Sequence, residues 1–510
     1  MSHPRGLFGP LALSAALLFA SSPATASDLR LTVTDTLFSE YRTATGVTGP
    51  EGEDLYYGVF VNRLNLVASA GSLTASQRFD LVQFIDGPSG DYVSEITPER
   101  FNLRYRAGDW RVMGGDFYRQ LGRGIALAIR KVDELGLDVA LRGGEITWSG
   151  ERADVSLFSG ITNSVNIDSV NQKYIADPQD IIAGASTEVS VSDSVRLGAY
   201  GLYMQPKEAL AEEVDRVGTG GATVELQFMD SDLVLYMEGV GQHRETAGIS
   251  DVGYAAYMSM DLVVADWTVL VEGLFMEAFE QKGSTNTAVN NRFNYSNAPT
   301  LERFDQEVLN NRDVAGLRVR AETSLFDGDL RLHGSVMYRI TDPLDEFVRV
   351  DQMHAFAGAE YSWDYGDSRL AGSAGYRTET QAFSGNEIKT MMHADIDYLQ
   401  RLTDVLSLHI TSVNEFRTLQ GSAYERGSLF LGVDWASVGG LTFEFGFDSQ
   451  NKSDDARNLF YAGILVAHLT DRLELRGTVG TQRGGIKCIA GVCRQFPEFT
   501  GGRIEAIARF

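Results

Sequence analysis

Residues 114–136 read GGDFYRQLGRGIALAIRKVDELG, a stretch in which glycines bracket a run of charged and aliphatic residues unlike its alternating surroundings. Arg119, Arg123, Arg130 and Lys131 are its cations, and Asp116, Asp133 and Glu134 its carboxylates. Gly114, Gly115, Gly122 and Gly124 would let the backbone bend and approach a neighbouring surface closely. Phosphate-cradling chemistry is excluded: GRGIAL lacks the GxGxxG fingerprint, no Lys-Ser/Thr pair follows, and no βαβ pattern surrounds it. What remains is a mixed-charge segment that could set a field across a confined space. The plainer alternative is a pair of extended strands, since Ile125, Leu127 and Ile129 alternate.

Other constellations carry less. Nucleophilic catalysis needs a Ser or Cys with a base in reach, yet His243, His333, His354, His393, His409 and His468 stand singly with no recurring Ser/His motif. The chain therefore reads as a non-enzyme without cofactor. Glu208, Glu212, Glu213 and Asp215 form an acidic run, but no Asp-x-Asp-x-Asp-Gly calcium loop is present. The expectation is surface charge rather than a metal site. A net charge of −25 excludes nucleic acid as a partner.

The elements that would position these residues begin after a processing signal. Residues 1–26 show a weakly basic start, an apolar stretch over 7–20 and the small-residue pattern Ala24-Thr25-Ala26. Residues 27–510 then read as one domain, with no linker and no apolar run long enough for a spanning helix. In an exported chain, Cys488 and Cys493 in KCIAGVC are expected to form a local disulfide.

Small or acidic turns punctuate this domain: AGDWRV, VSDSVRLGAY, MDSDLVLY, FDGDLRLHG, LTDVLSLHI and LTDRLELRG, with further breaks near Gly71, Gly150, Asp266, Gly366 and Gly439. Their spacing, mostly about 32–43 residues, fits two strands, a tight turn and a longer loop, giving about 24 strands with a range of 22–26. Between turns the residues alternate. Phe443, Phe445 and Phe447 oppose Thr442, Glu444 and Asp448, and Leu473, Leu475 and Val479 oppose Glu474, Arg476 and Thr478.

The last strand, GRIEAIARF, ends on Phe510 with Ile504, Ala506 and Ala508 on its face. It resembles the C-terminal strand of Gram-negative outer-membrane β-barrels. That resemblance implies an all-β, antiparallel, up-and-down transmembrane barrel with both termini periplasmic. Phe510 would be part of the signal read by the barrel-insertion machinery. GGDFYRQLGRGIAL and RGGIKCIAGVCRQFPEFTGGRIE resemble, more narrowly, a family of large porin-like barrels known only as a domain of unknown function. A closed barrel is also what physics demands of a membrane-spanning chain without apolar helices.

On this reading apolar faces meet outer-membrane lipid, acidic loops meet lipopolysaccharide through divalent ions, and polar faces line a lumen. Candidate lumen charges are Arg104, Arg318, Arg320, Glu322, Arg331, Glu444, Glu474, Arg476, Arg503 and Glu505. Trp110, Trp148, Trp267, Trp363 and Trp435 fall beside turns, as an interfacial girdle requires. Outer connections are expected at 44–54, 86–97, 163–179, 206–217, 280–311 and 484–499. The 114–136 segment becomes the third outer connection, between strands ending near Phe117 and starting near Leu137. By analogy with general porins it is a candidate constriction for diffusing small solutes. The alternative is a non-conducting barrel in a surface assembly or secretion system, binding a partner through outer loops such as NNRFNYSNAPT.

Overall fold

The computed structural model describes residues 29–48, 54–87, 92–132, 137–167, 173–207, 214–286, 291–302, 312–450, 458–489, 492–496 and 498–510. The expected cleavage region and the acids Glu208, Glu212 and Glu213 lie outside these residues, as does the side chain of Asp215.

Twenty-four antiparallel strands close into one barrel. They run from Leu29–Thr48 to Phe499–Arg509. Each strand pairs with its predecessor, and Thr34–Arg42 pairs with Arg509–Gly501 to shut the sheet. Closure satisfies the ladder of every strand and leaves no open edge, the condition for spanning hydrocarbon. All the breaks read from the sequence are tight turns at one end of the barrel. Three of them, Met229–Ser231, Phe326–Gly328 and Asp364–Gly366, are single 3-10 turns. Asp230 and Asp327 adopt positive φ there, which a short polar side chain tolerates. The opposite end carries the longer connections, although 247–248 and 420–421 are tight turns there as well.

Register fixes which face each residue occupies. Leu475 opposes Ala506 and Gly477 opposes Ile504 on the outside, while Arg476 opposes Glu505 and Thr478 opposes Arg503 on the inside. The outer face is apolar and exposed: Ile504, Phe443 and Val479 are 62%, 49% and 67% accessible. By register parity all five tryptophans point outward at the short-turn end. Trp110 and Trp148 are direct cross-strand partners. A second belt lies toward the other end, including Tyr41 and Tyr56, stacked at 5.7 Å. Leu406 opposes Trp435, and Phe416 lies about ten residues further along the same strand. That is roughly 33 Å of strand, or about 25 Å along the membrane normal at a tilt of ~40°. An apolar band of this height between aromatic girdles is that of an outer-membrane barrel.

Candidate functional site

The inner wall is not hollow. After Trp110–Phe117 the chain leaves the barrel wall, and Arg119–Leu121 pairs with Leu127–Ile129 in a small hairpin. Gly122 and Gly124 make its bend, with φ of +51° and +87°. A Cβ on Gly122 would collide with the Glu238 carboxylate, and one on Gly124 would sit 2.9 Å from the Asn297 carbonyl oxygen. Leu121, Ile125, Leu127 and Ile129 are at most 1% exposed. They pack with Phe158, Ile182, Leu202, Met204 and Val217, which belong to successive strands of the inner face. The alternation that also fitted a projecting hairpin is therefore that of a short hairpin lying along the wall inside the barrel.

A second stretch joins it. The long connection expected outside the barrel, 280–311, turns inward over its described part. Phe279, Tyr295 and Leu301 are buried in the same apolar cluster. Residues 303–311 lie outside the described residues. Two backbone hydrogen bonds tie the stretches together: Ala128 N–H donates to the Tyr295 carbonyl (2.7 Å), and Asn297 N–H to that of Gly124 (2.8 Å). Asp180, fully buried, anchors the second stretch. It accepts from the Tyr295 hydroxyl at 2.7 Å and from the Ser284 N–H at 2.9 Å. Burial and this carboxylate hold the Tyr295 hydroxyl well above the usual phenol range. NNRFNYSNAPT is thus folded into the lumen from Tyr295 onward, with Tyr295 and Ala298 buried, the reverse of an exposed binding loop.

The charges of the first segment are distributed unequally. Arg119 donates to Glu145 (2.9 Å) and Ser186 (2.6 Å), and its guanidinium lies 5.2 Å from the Phe158 ring centroid. Asp116 accepts from Arg142 (3.1 Å), Asn163 (3.0 Å) and the Phe101 N–H (2.8 Å). Both are committed to the wall rather than to a field across the lumen. Arg123 donates its backbone N–H to Glu238 (2.8 Å) and lays its exposed guanidinium over Tyr236 at 4.6 Å. Glu238 also accepts from the Tyr236 hydroxyl at 2.8 Å and from that of Tyr200. Arg130 is half-buried and Lys131 exposed. Asp133 and Glu134 lie outside the described residues.

The candidate lumen charges all occupy the inner face by register, and most are paired along the wall. Arg320 meets Glu322 at 2.8 Å, Arg476 meets Glu474 at 2.6 Å and Glu505 at 3.7 Å, and Arg503 meets Glu40 at 3.8 Å. Arg318 pairs with Glu272, Arg331 is the register partner of Glu360, and Glu444 accepts from Gln482 at 2.7 Å. Arg104 lies against Met113. Cys488 and Cys493 are register partners in the hairpin of Gly485–Ile489 and Val492–Phe496. Their side chains lie outside the described ones.

One cluster was not legible beforehand. Glu302, 1% exposed, receives His354 Nδ1 at 2.6 Å and Arg377 at 3.0 Å. His354 Nε2 in turn lies 3.0 Å from His393 Nε2. The two histidines sit on next-but-one strands, so only the repeat spacing of the turns could have brought them together. Beside this cluster a cavity of about 630 Å³ opens in the lumen, lined by Glu302, Arg320, His333, Phe356 and Asp395 among others. Among the described residues no group of three or more His, Cys, Asp or Glu is placed to hold a metal ion, and no helix is long and apolar enough to cross a membrane.

No protein-family model and no curated protein matches the sequence. Solved structures similar to the chain include the outer membrane protein OpdK from Pseudomonas aeruginosa, at 10% identity over 70% of this chain and 95% of that one, TM-score 0.39. A BenF-like porin from Pseudomonas fluorescens Pf-5 shares 12% identity over 71% and 95% of the two chains, TM-score 0.39. The P pilus usher (PapC) translocation pore shares 9% over 94% and 99%, TM-score 0.45.

Proposed function

We propose that the protein is a porin-like outer-membrane channel through which small hydrophilic solutes diffuse, narrowed by the 114–136 segment together with the inward stretch 279–302. The observation that carries this reading is the pair of stretches hydrogen-bonded to each other and packed on the inner wall. Barrels of 16–18 strands already leave an aqueous channel, so an unfilled one of this size would breach the membrane barrier. The remaining inner wall is lined by paired charges that keep a water path polar while offering little net field. Arg123 is the cation that supports selectivity best, because its guanidinium is exposed while that of Arg119 is spent on Glu145.

The same reading puts both termini in the periplasm, the short turns beside them and the long connections outside. Residues 1–26 act as the export signal, and Phe510 serves recognition by the insertion machinery. The acidic connections meet lipopolysaccharide, and the Cys488–Cys493 bond staples an outer hairpin. The inner wall works by passage rather than catalysis. The narrower kinship with the uncharacterised barrel family belongs to this proposal too. Partner binding through NNRFNYSNAPT loses support because that stretch is turned inward. Reconstitution in planar bilayers tests the channel: discrete conductance steps are expected, and folded protein that passes no current would overturn it.

A further inference from the structure

The cavity beside Glu302 is a recess in the inner wall, lined by both signs of charge and by an aromatic ring. We propose that it binds a neutral polyhydroxylated solute, a sugar or sugar alcohol, on its way through the lumen. This rests on the channel reading.

Small residues make the recess. In the strand Ser368–Gln381 the inward positions Ala371, Ser373 and Gly375 carry little or no side chain, and Gly358 is the register partner of Ser373 on the strand before. Larger inward groups lean over this low ground. A Cβ on Gly358 would sit 2.5 Å from His333 Cε1, and one on Gly375 would sit 2.6 Å from the Phe356 Cβ. The Phe356 and His333 rings meet edge to face, with centroids 6.2 Å apart. Thr300 and Glu302 join the lining from the inward stretch, and Asp395, Asp397 and Thr411 from the two strands that follow. At about 630 Å³ the volume falls within the roughly 300–1,000 Å³ of small-molecule sites.

The polar lining selects the solute. Arg318 Nε donates to Glu272 at 2.7 Å, and Arg320 to Glu322 at 2.8 Å. Asp397 contacts His409 Nε2 at 2.8 Å, accepts from the Thr411 hydroxyl at 3.0 Å and meets Arg369 at 3.0 Å. Asp395 accepts from the Ser373 hydroxyl at 3.2 Å, and Glu302 is held by Arg377 and His354. An anion entering the recess therefore meets Glu302, Asp395 and Asp397 as well as the guanidinia. A cation meets Arg318 and Arg320 as well as the carboxylates. Either would compete with ion pairs already made. A hydroxyl has no such conflict, because it both donates and accepts. It can add to the Arg320–Glu322 pair, whose side chains are both exposed, without breaking it. An apolar solute would strip water from these groups and return no hydrogen bond. Phe356, half-buried, and Ala371 offer the apolar surface on which the C–H face of a sugar ring can rest.

Ion current through the full-length protein in planar bilayers, titrated at constant ionic strength with D-glucose, D-glucosamine and D-glucuronate, reads the site. The three probes share one ring and differ in charge. D-glucose is expected to reduce the current saturably, and the two charged sugars to need about tenfold higher concentration. Phe356→Ala should weaken the D-glucose effect by about tenfold, through the lost apolar surface. Ser373→Leu should abolish it by filling the recess, and heat-modifiable migration in detergent gels checks that each variant is folded. A reduction that never saturates, or one equal in wild type and both folded variants, overturns the site. So does tighter binding of either charged sugar. If folded wild type passes no current at all, the channel reading fails instead. The site is then read by saturation-transfer NMR of D-glucose with the protein in detergent micelles. Transfer in wild type that is lost in Ser373→Leu is expected, and absence of transfer in wild type overturns it.

Discussion

Arg119 and Arg123 lie one hairpin bend apart, yet changing them should have separable effects. Arg119 faces Glu145, a side chain 3% exposed, so Arg119→Glu would set two carboxylates together in a dry corner. Losing one partner of such a buried pair costs about 3–5 kcal/mol. The expected result is a clear drop in the thermal midpoint of the refolded barrel. Arg123→Gln keeps the backbone N–H that Glu238 accepts and removes only the exposed charge over Tyr236. Reversal-potential measurements should shift toward cations with the midpoint nearly unchanged; unaltered selectivity would remove Arg123 from the filter. Glu238 itself should behave as the clasp. Glu238→Ala strands two tyrosine hydroxyls and an amide, at roughly 1–3 kcal/mol for each donor left unsatisfied. Noisier and larger conductance is expected, because the hairpin loses its hold on the wall. None of these partnerships could be read from the chain, since Glu238 and Glu145 belong to strands whose neighbours only the closed sheet defines.

The strands themselves were legible because the bilayer leaves few choices. Alternation such as Phe443/Phe445/Phe447 against Thr442/Glu444 has one reading once the sheet must face lipid, and the turns were marked by Gly and Asp, which at Gly71, Gly108, Asp230, Asp327, Gly366 and Gly439 adopt positive φ. The inward stretches were not, for a physical reason. Ile125, Leu127 and Ile129 alternate whether they project past the membrane or lie on the wall. What decides between these is hydrogen bonding to Tyr295 and Asn297, far away in sequence. The 279–302 stretch carries its own pH dependence at its root. Burial alone would raise Glu280, but Lys282 at 2.8 Å, with Arg312 and Arg244, holds its carboxyl below its usual 4.5. A folded-state value below the unfolded one adds stability that is present above about pH 4.5 and is lost as pH falls through the lowered value. Protease nicking near Lys282 should therefore rise only below that range in wild type. Glu280→Gln should be nicked equally at neutral pH and in acid.

At the scale of the whole molecule, wall and filling are separately built, and that separation can be tested. Trp110–Phe117 pairs directly with Leu137–Ser149, from Trp110 opposite Trp148 to Phe117 opposite Leu141, so the sheet closes without help from the intervening hairpin. Loop length adds little to closure entropy, about 0.6 kcal/mol per doubling. Replacing residues 119–132 by a short Gly-Ser linker should leave the ladder and the lipid-facing band intact. It would, however, uncover Phe158, Ile182, Leu202 and Met204 to lumen water. At about 25 cal/mol per Å² of apolar surface that loss is real but borne locally, because every strand keeps both neighbours. The deletion should therefore still migrate as a heat-modifiable folded barrel in detergent gels while conducting several times more than wild type. Liposome-swelling assays should show it admitting larger sugars as well. Unchanged conductance in a folded deletion would mean that the hairpin lines the wall without narrowing the path, leaving the second stretch and its Glu302 anchor as the element that closes the pore.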